Sequence, residues 1–537
     1  MTKKKKPNIV CFIMDDTDFT NISCYGGDIP TPNIDSIGKE GIIFTNFYCS
    51  SSVCTPSRYS YMSGRYAGRC SYVDFIKGNP KKDLHSVGWN VVLTENDPIS
   101  AGRILKEAGY STAYIGKWHA GRPSNALNLP QFNENEDPFD ENTNNKLINH
   151  QKILCDELKK SLGFDYASSI FWNNAEALPL KKLRHHNIDW LTYGAINFLE
   201  NQNNEDPFFL YMATTTYHGP DQQRSFFKDP RITPGGIVQD LSKVSSNREK
   251  ILEKLKESGL EKNHRTIGMV WTDEAIKSVI KKVKDMGELE NTVFIFSVDH
   301  NTENGKASCY ESGTRIPFMM KWPGRITPGS VTAAKAQNID LVPTLLEIAG
   351  TQIPDNSKLD GKSLSPLFDD QKNKIHNDLY FEFGFSRAVL CEEWKYIAVR
   401  YTKDLYEKME NNILEEAPNL LNLPNQGQCK INIHAFPNCL EADQLYNLSE
   451  DPREENNLAA QPEYQNILKE MKRLLKKYTS TFSNPFPEEA PPFHKSEKFR
   501  LLVQKAKENH PLNDIRWYPN PTTQKRRWPP KIDHLQA

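Results

Sequence analysis

Five apolar, β-branched or aromatic runs of strand length, at residues 8–14, 111–115, 207–213, 292–298 and 316–321, are interspersed with segments of helical period at 99–108, 189–200, 266–286 and 339–349. A run that is apolar at nearly every position has no solvent face, so these strands must be covered on both sides. Strands of that kind alternating with helices predict an α/β fold: a large mixed, mostly parallel sheet sandwiched by helices. Beyond a polar stretch at 366–374 the pattern changes to short strands at 379–383, 387–390, 394–400 and 444–448, then a helix at about 463–478. These predict a smaller C-terminal antiparallel sheet plus helix. The expected division is 1–375 for the principal domain and 376–485 for an α+β subdomain, with 486–537, dense in Pro, Lys, Arg and Trp, as an extended surface-wrapping tail.

Length and charge exclude several function classes. A chain of 537 residues is too long for a peptide hormone or a single binding module. Sixty-seven Lys+Arg against sixty-eight Asp+Glu leave a net charge of -1, with no global basic field to recruit nucleic acid or an acidic membrane. Anion recognition must therefore be local. No window approaches the roughly 18 uninterrupted apolar residues of a spanning helix, so no membrane span is expected. Lys3–Lys6 reads as a mobile tail, and the apolar run after it ends at Asp15-Asp16, which marks a buried strand and not a secretion signal. A cytoplasmic protein and one whose leader has been removed are both open at this point. Ten cysteines are too sparse for a disulfide scaffold, although Cys429 and Cys439 are close enough in sequence to bridge a loop.

In doubly wound sheets ligands bind beyond the carboxyl ends of the strands. Here those positions carry Asp15 and Asp16 after the first run, Lys117 and His119 after the second, His218 after the third, and Asp299 and His300 after the fourth. Crowded carboxylates repel one another unless a cation lies between them, and hard oxygen ligands suit Ca²⁺ or Mg²⁺. His185-His186, in the polar segment 181–187, reads instead as part of a solvated loop.

The segment Cys54-Thr55-Pro56-Ser57-Arg58 places a thiol near a helix N-terminus, where the dipole and free N–H groups favour an anion. It matches the C-x-P-S-R signature of the type I, formylglycine-dependent sulfatases of the alkaline-phosphatase superfamily, and the chain resembles that family over roughly residues 7–480. Thr31-Pro32-Asn33-Ile34-Asp35 resembles its T-P-N-x-D turn, and Gly116-Lys117-Trp118-His119 its G-K-W-H motif. Ser297-Val298-Asp299-His300 resembles its second metal pair, although Asn301 follows where many members carry Gly. Lys306 through Tyr310-Glu311, then Arg315-Ile316-Pro317, resembles a further stretch. Glu393-Trp394-Lys395-Tyr396-Ile397 and Gln444-Leu445-Tyr446-Asn447-Leu448 through Asp451-Pro452-Arg453 to Leu458 resemble the C-terminal signature.

The resemblance implies an alkaline-phosphatase-like catalytic domain and a sulfuric ester hydrolase. Cys54 would be converted to 3-oxoalanine (formylglycine) by a maturase, and Asp15, Asp16, Asp299 and His300 would hold Ca²⁺ together with residue 54. Lys117 and Lys306 would clamp sulfate oxygens, Arg58 would orient the aldehyde hydrate, His119 would remove a proton to regenerate the aldehyde, and His218 would be the general acid. A phosphonate or phosphate ester hydrolase of the same superfamily is one alternative; a catalytically silent glycan-binding relative is another. Segments 122–158 and 165–187 are expected to form the substrate wall. Phe171, Trp172, Lys181, Lys182 and Arg184 in the second suggest a sulfated poly- or oligosaccharide. Such a substrate implies a periplasmic or secreted enzyme.

Overall fold

The structure, a computed structural model, describes residues 5–77, 84–203, 205–244, 248–302, 305–352, 358–411, 434–483 and 485–509. Eight strands form the main sheet: β1 (Asn8–Met14), β2 (Ile42–Phe44), β3 (Ser111–Lys117), β4 (Tyr166–Phe171), β5 (Phe208–Ala213), β6 (Thr292–Val298), β7 (Phe318–Lys321) and β8 (Ser330–Thr332). Their order is β8-β2-β7-β6-β1-β5-β3-β4. All neighbours run parallel except β7, which is antiparallel to both β6 and β2. β1 is buried at every position and sits at the centre, as its uninterrupted apolar sequence requires.

Register decides where the chemistry lies. Ile13 pairs with Ala213 and Met14 with Val298, while Gly116 pairs with Ala213. The carboxyl ends of β1, β3, β5 and β6 therefore share one level, and the residues that follow them meet at one edge.

Helices cover both faces. α1 (Pro32–Lys39), α5 (Ile188–Glu200) and α6 (His264–Asp285) pack together, while α2 (Cys54–Ser63), α3 (Ala101–Glu107) and α7 (Leu341–Ile348) form a second group. Adjacent residues of β3 separate the groups: Ile115 lies against Gly194 of α5, and Tyr114 packs edge-on against Phe164, whose ring presses on Gly102 of α3. Asn263 caps α6 by accepting from Arg265 N and Thr266 N, and Trp271 Nε1 donates to Asp189 Oδ1 at 3.1 Å, tying α6 to α5.

The second sheet is antiparallel, β9 (Asp378–Phe383), β10 (Ser386–Cys391), β11 (Trp394–Val399) and β12 (Asp443–Asn447) in that order, with α8 (Gln465–Thr479) against it. It is joined to the main body by a core of Tyr48, Val53 and Tyr310 with Phe381, Leu390 and Tyr446, and by a buried Lys395–Glu311 ion pair at 2.8 Å.

Several expectations change. The tail is not simply extended: α9 (Glu497–Asn509) sets Phe499 and Leu502, three apart on one helical face, against Val399, Tyr401 and Met409. Of the expected tail 3–6, Lys3 and Lys4 lie outside the described residues, while Lys5 Nζ pairs with Glu288 at 2.7 Å and Lys6 Nζ donates to Ala108 O at 2.9 Å. Segment 122–158 contains most of a long helix, α4 (Glu141–Leu162), and segment 165–187 begins with β4. Cys429 lies outside the described residues, so the suggested bridge to Cys439 does too. No described helix is long and apolar enough to cross a membrane.

Candidate active site

Val53, extended, gives way to α2 at Cys54, so the thiol occupies the first helical position and is 2% exposed. Its Sγ lies 3.3 Å from His300 Nε2 and 3.6 Å from Lys117 Nζ. Burial alone would raise the thiol, but Lys117 and His300 outweigh it and bring the pKa down to about 6. Residue 54 thus stands where negative charge is favoured.

Around it the strand ends deliver their groups. Arg58, from the second turn of α2, donates through one nitrogen to Asp15 Oδ1 (3.1 Å) and Asp299 Oδ2 (2.9 Å), and through another to Lys117 O (3.0 Å). Lys117 Nζ donates to Asp15 Oδ2 at 2.6 Å, and Lys306 Nζ to Asp16 Oδ2 at 2.7 Å. Burial opposes the charge on Asp15, yet Lys117 and Arg58 hold its carboxyl well below the usual range. Burial, then Asp15, pushes Asp299 up to about 7 against the pull of His300 and Arg58; Asp299 and Cys54 in turn lift the buried His300 to about 9. Ser57 Oγ bonds Asp299 O, and Asn338 Nδ2 donates to Ser57 Oγ at 3.1 Å, so the start of α2 is fastened to the end of β6.

Three side-chain cations thus already lie among the three carboxylates, and a metal is not the only group able to relieve their repulsion, contrary to the argument from sequence. The fit to a divalent cation rests on other features. Ligand-capable atoms of Asp15, Cys54, Asp299 and His300 lie within 4.8 Å of one another. Asp16 adjoins this group through its backbone N, which donates to Asp299 Oδ1 at 2.9 Å, and its buried Oδ1 has no hydrogen-bond partner among the described residues. Carboxylate oxygens beside an imidazole, with Asp16 Oδ1 left only a 3.5 Å contact to His300 Nδ1 among the described residues, suit a hard divalent ion.

His119 follows β3 with a positive φ of 52° and is fixed by its backbone: its N donates to Trp172 O at 3.2 Å and its O accepts from Thr55 Oγ1 at 2.7 Å. Burial and Lys117 hold its imidazole well below the ordinary value, which favours the neutral ring, and its buried Nδ1 has no hydrogen-bond partner among the described residues. His218 follows β5 with its side chain one-fifth exposed. The loop carrying it is braced by His186, whose Nε2 lies 2.9 Å from His218 O and whose Nδ1 lies 2.8 Å from Thr215 Oγ1. His185 and His186 are therefore not in a solvated loop: both are buried, and burial pushes both down to about 4.

Two site residues escaped the sequence reading. Asn174 bridges Lys117 Nζ (2.5 Å) and His218 Nε2 (3.2 Å), and Glu176 lies 3.5 Å from His218 Nδ1. Both follow the end of β4; recognising that strand would have exposed them by the same strand-end rule. The cations of the expected substrate wall are already engaged, Lys181 with Glu134 at 2.6 Å, Lys182 with Asp137 at 3.1 Å and Arg184 with Glu134 at 3.4 Å. Phe171 is buried in the sheet and offers no free aromatic face, whereas Trp172 is half-buried, its indole edge held by an Nε1–H donated to Arg122 O at 2.8 Å.

A mixed, mostly parallel sheet whose strand ends converge acidic and basic groups on a buried thiol has the framework of a hydrolase of the α/β class. The model of the Sulfatase family matches residues 7–351, and that of the N-sulphoglucosamine sulphohydrolase C-terminal region matches residues 304–430. The chain belongs to the sulfatase family and is a sulfuric ester hydrolase. It is 25% identical to an N-acetylglucosamine-6-O-sulfatase of Bacteroides thetaiotaomicron over 90% of this chain and 88% of that protein. It is likewise 25% identical to an ulvan-active sulfatase of Formosa agariphila (86% and 78% covered) and 26% identical to human arylsulfatase A (88% and 88%). Among solved structures it superposes on a protein bound to its substrate D-glucosamine-2-N,6-O-disulfate, with TM-score 0.58, 19% identity and coverage of 90% and 100%. The PsFucS1 sulfatase of Pseudoalteromonas sp. gives TM-score 0.55, 19% identity and coverage of 90% and 92%. These likenesses fix the fold.

Proposed function

We propose that this chain removes sulfate from a sulfated carbohydrate, a poly- or oligosaccharide, using a formylglycine made from Cys54 and a bound Ca²⁺. The observation that carries the reading is the charge balance at residue 54. Asp15, Asp16 and Asp299 are matched by Arg58, Lys117 and Lys306, so a divalent ion among them leaves an excess of positive charge facing residue 54, which suits a sulfate ester anion. Asp15, Asp16, Asp299 and His300, with the oxygen that replaces Sγ at residue 54, would hold Ca²⁺, which supplies charge neutralisation and acidifies a hydroxyl beside it. Once Cys54 is converted, its aldehyde hydrate would supply one hydroxyl for attack on sulfur and a second whose deprotonation would release sulfate.

The remaining tasks fall to the chain's own groups. Asp299, a buried carboxylate within ligand distance of residue 54, is placed to accept the proton of the attacking hydroxyl. Lys117 and Lys306 orient sulfate oxygens, and Arg58 holds Asp15 and Asp299 in place at the foot of the hydrate. His218, lifted above the ordinary value by Glu176 despite burial, protonates the sugar oxygen as it leaves. His119, kept neutral, takes the proton of the second hydroxyl. Carbohydrate is favoured by relatives named for glucosamine and ulvan sulfates; a polymeric polyanion in turn favours a periplasmic or secreted enzyme and a maturase acting on Cys54. The catalytic work falls within 1–375, with 376–485 as its support.

The test has two arms. The tryptic fragment 40–58 from a host with a maturase is expected to weigh less than encoded and to react with hydrazides. The enzyme is expected to turn over a nitrophenyl sulfate and defined sulfated oligosaccharides, with little action on nitrophenyl phosphate. Active enzyme carrying only unmodified Cys54 would sink the nucleophile, preference for phosphate would move the chain to the phosphoryl branch, and no turnover of any ester would leave a glycan-binding relative.

A further inference from the structure

Asn174 joins two groups to which the reading above gives different tasks, Lys117 and His218, and the junction fixes where a proton can sit. A lysine ammonium has only donors, so the amide atom 2.5 Å from Lys117 Nζ is the carbonyl oxygen Oδ1. The amide nitrogen Nδ2 is then the atom that faces His218 Nε2 at 3.2 Å. Nδ2 donates, so Nε2 accepts. The single proton of the neutral ring therefore lies on Nδ1, directed at Gly219 O (3.3 Å) and Glu176 Oε1 (3.5 Å). In this arrangement Nε2 has no proton to give, and a protonated ring would set an N–H of His218 against an N–H of Asn174.

The surroundings pull both ways. Burial, Lys306 and Lys117 disfavour an imidazolium at His218, Glu176 and Asp16 favour it, and Asp15, His119 and His186 also lie within electrostatic reach. Asn174 adds a direct opposition at Nε2 that lasts only while Lys117 holds its oxygen. The three N–H groups of Lys117 Nζ face Asp15 Oδ2 (2.6 Å), Asn174 Oδ1 (2.5 Å) and Sγ of Cys54 (3.6 Å), so an anion at residue 54 that recruits more than one of them does so at the expense of Asn174.

We infer that Asn174 couples sulfate binding to proton donation: sulfate draws Lys117 away from Oδ1, the freed amide ceases to donate to Nε2, and His218 takes up from solvent the proton it passes to the leaving oxygen. Glu176, at Nδ1, balances the charge of the ring while it is protonated. Asn174 is thus a positioning residue, acting through Lys117 and His218. The inference rests on the proposed tasks of those two residues; its result is an acid already favoured by Glu176 and more fully protonated once sulfate is in place.

The test uses calcium-loaded enzyme with ¹³C-labelled histidine, the His218 signal being assigned by its loss in His218→Ala, titrated with and without saturating inorganic sulfate. Sulfate is expected to raise the His218 midpoint by about one pH unit in the parent. In Asn174→Ala the sulfate-free midpoint is expected to be higher already and sulfate to move it less than half as far. Asn174→Asp, isosteric and able to accept from both neighbours, is expected to raise the sulfate-free midpoint further and carries the test if the alanine variant does not fold. An equal sulfate-induced shift in parent and Asn174→Ala would overturn the coupling, because the anion's charge alone would then account for it; so would no shift in the parent. Leaving-group dependence separates this from the function itself: if His218→Ala slows sugar and nitrophenyl sulfates equally while the Asn174-dependent shift persists, His218 is not the acid but the coupling stands.

Discussion

Arg58 is 1% exposed and each of its two carboxylate partners is fully buried, so its guanidinium cannot be removed without leaving charge stranded in the protein interior. Arg58→Ala is expected to cost about 3–5 kcal/mol in urea unfolding as well as abolishing turnover. Arg58→Lys is not conservative here: a single ammonium lacks the separate nitrogens by which the planar guanidinium reaches Lys117 O on one side and Asp15 and Asp299 on the other. His218→Ala is expected to slow sugar sulfates by about 10²–10⁴-fold and a nitrophenyl sulfate far less, since a phenolate needs little protonation; kcat on the two substrates is the check. At this scale the sequence was legible where residues follow a recognised strand, as with Asp15 and Asp299. Asn174 and Glu176 were hidden because β4 itself was not seen, its Ser168-Ser169 interior breaking the apolar run. His185 and His186 look solvated in sequence because what covers them is distant: Thr215 and Ser225, in the segment after β5, bond His186, and local polarity does not reveal this.

Among the elements, the strands of the main sheet were legible because burial on both faces leaves an apolar run, whereas α4 was not, since its sequence is largely polar and only spaced residues such as Leu147, Leu154 and Leu158 are buried. The second sheet shows what sequence spacing alone leaves out. Asp443 of β12 meets Arg400 at 2.8 Å just beyond β11, Tyr396 of β11 at 2.7 Å and Lys472 of α8 at 3.4 Å, binding three elements at one carboxylate. Burial opposes that charge, but Arg400 dominates and the carboxyl is held well below the ordinary range. A depressed folded-state value gives stability that is fully present above the unfolded carboxylate range, near pH 4, and is lost as pH falls through the folded value. Asp443→Asn is therefore expected to lower the melting temperature at pH 7 and to reduce the further loss below pH 4, measured by calorimetry across pH. A parallel decline in parent and variant below pH 4 would count against this carboxylate as the acid-labile link.

For the whole molecule, the three cations in the site change what chelation should do. Because Arg58, Lys117 and Lys306 already compensate the carboxylates, removing Ca²⁺ is expected to abolish turnover without unfolding the chain. The melting temperature should fall only by the binding linkage, about 2.7 kcal/mol when free Ca²⁺ is 100-fold above its Kd, and recover with Ca²⁺. Full activity in protein shown by elemental analysis to be metal-free would remove the ion from the scheme. The sheet order carries a different kind of consequence, one of time. Asn8 of β1 pairs with Thr292 of β6, and Ile9 with Phe209 of β5, so the central strand cannot be flanked on both sides until β6 has been made. At roughly 5–20 residues per second, the 284 residues from Asn8 to Thr292 take about 15–60 s to synthesise. Throughout that interval β1 is an apolar strand with an unpaired edge, a burden on chaperones, and Cys54 is still without the walls that Asp299 and His300 provide. The finished fold leaves that thiol 2% exposed, so the same delay that endangers the nascent chain is the interval in which the proposed maturase would reach residue 54.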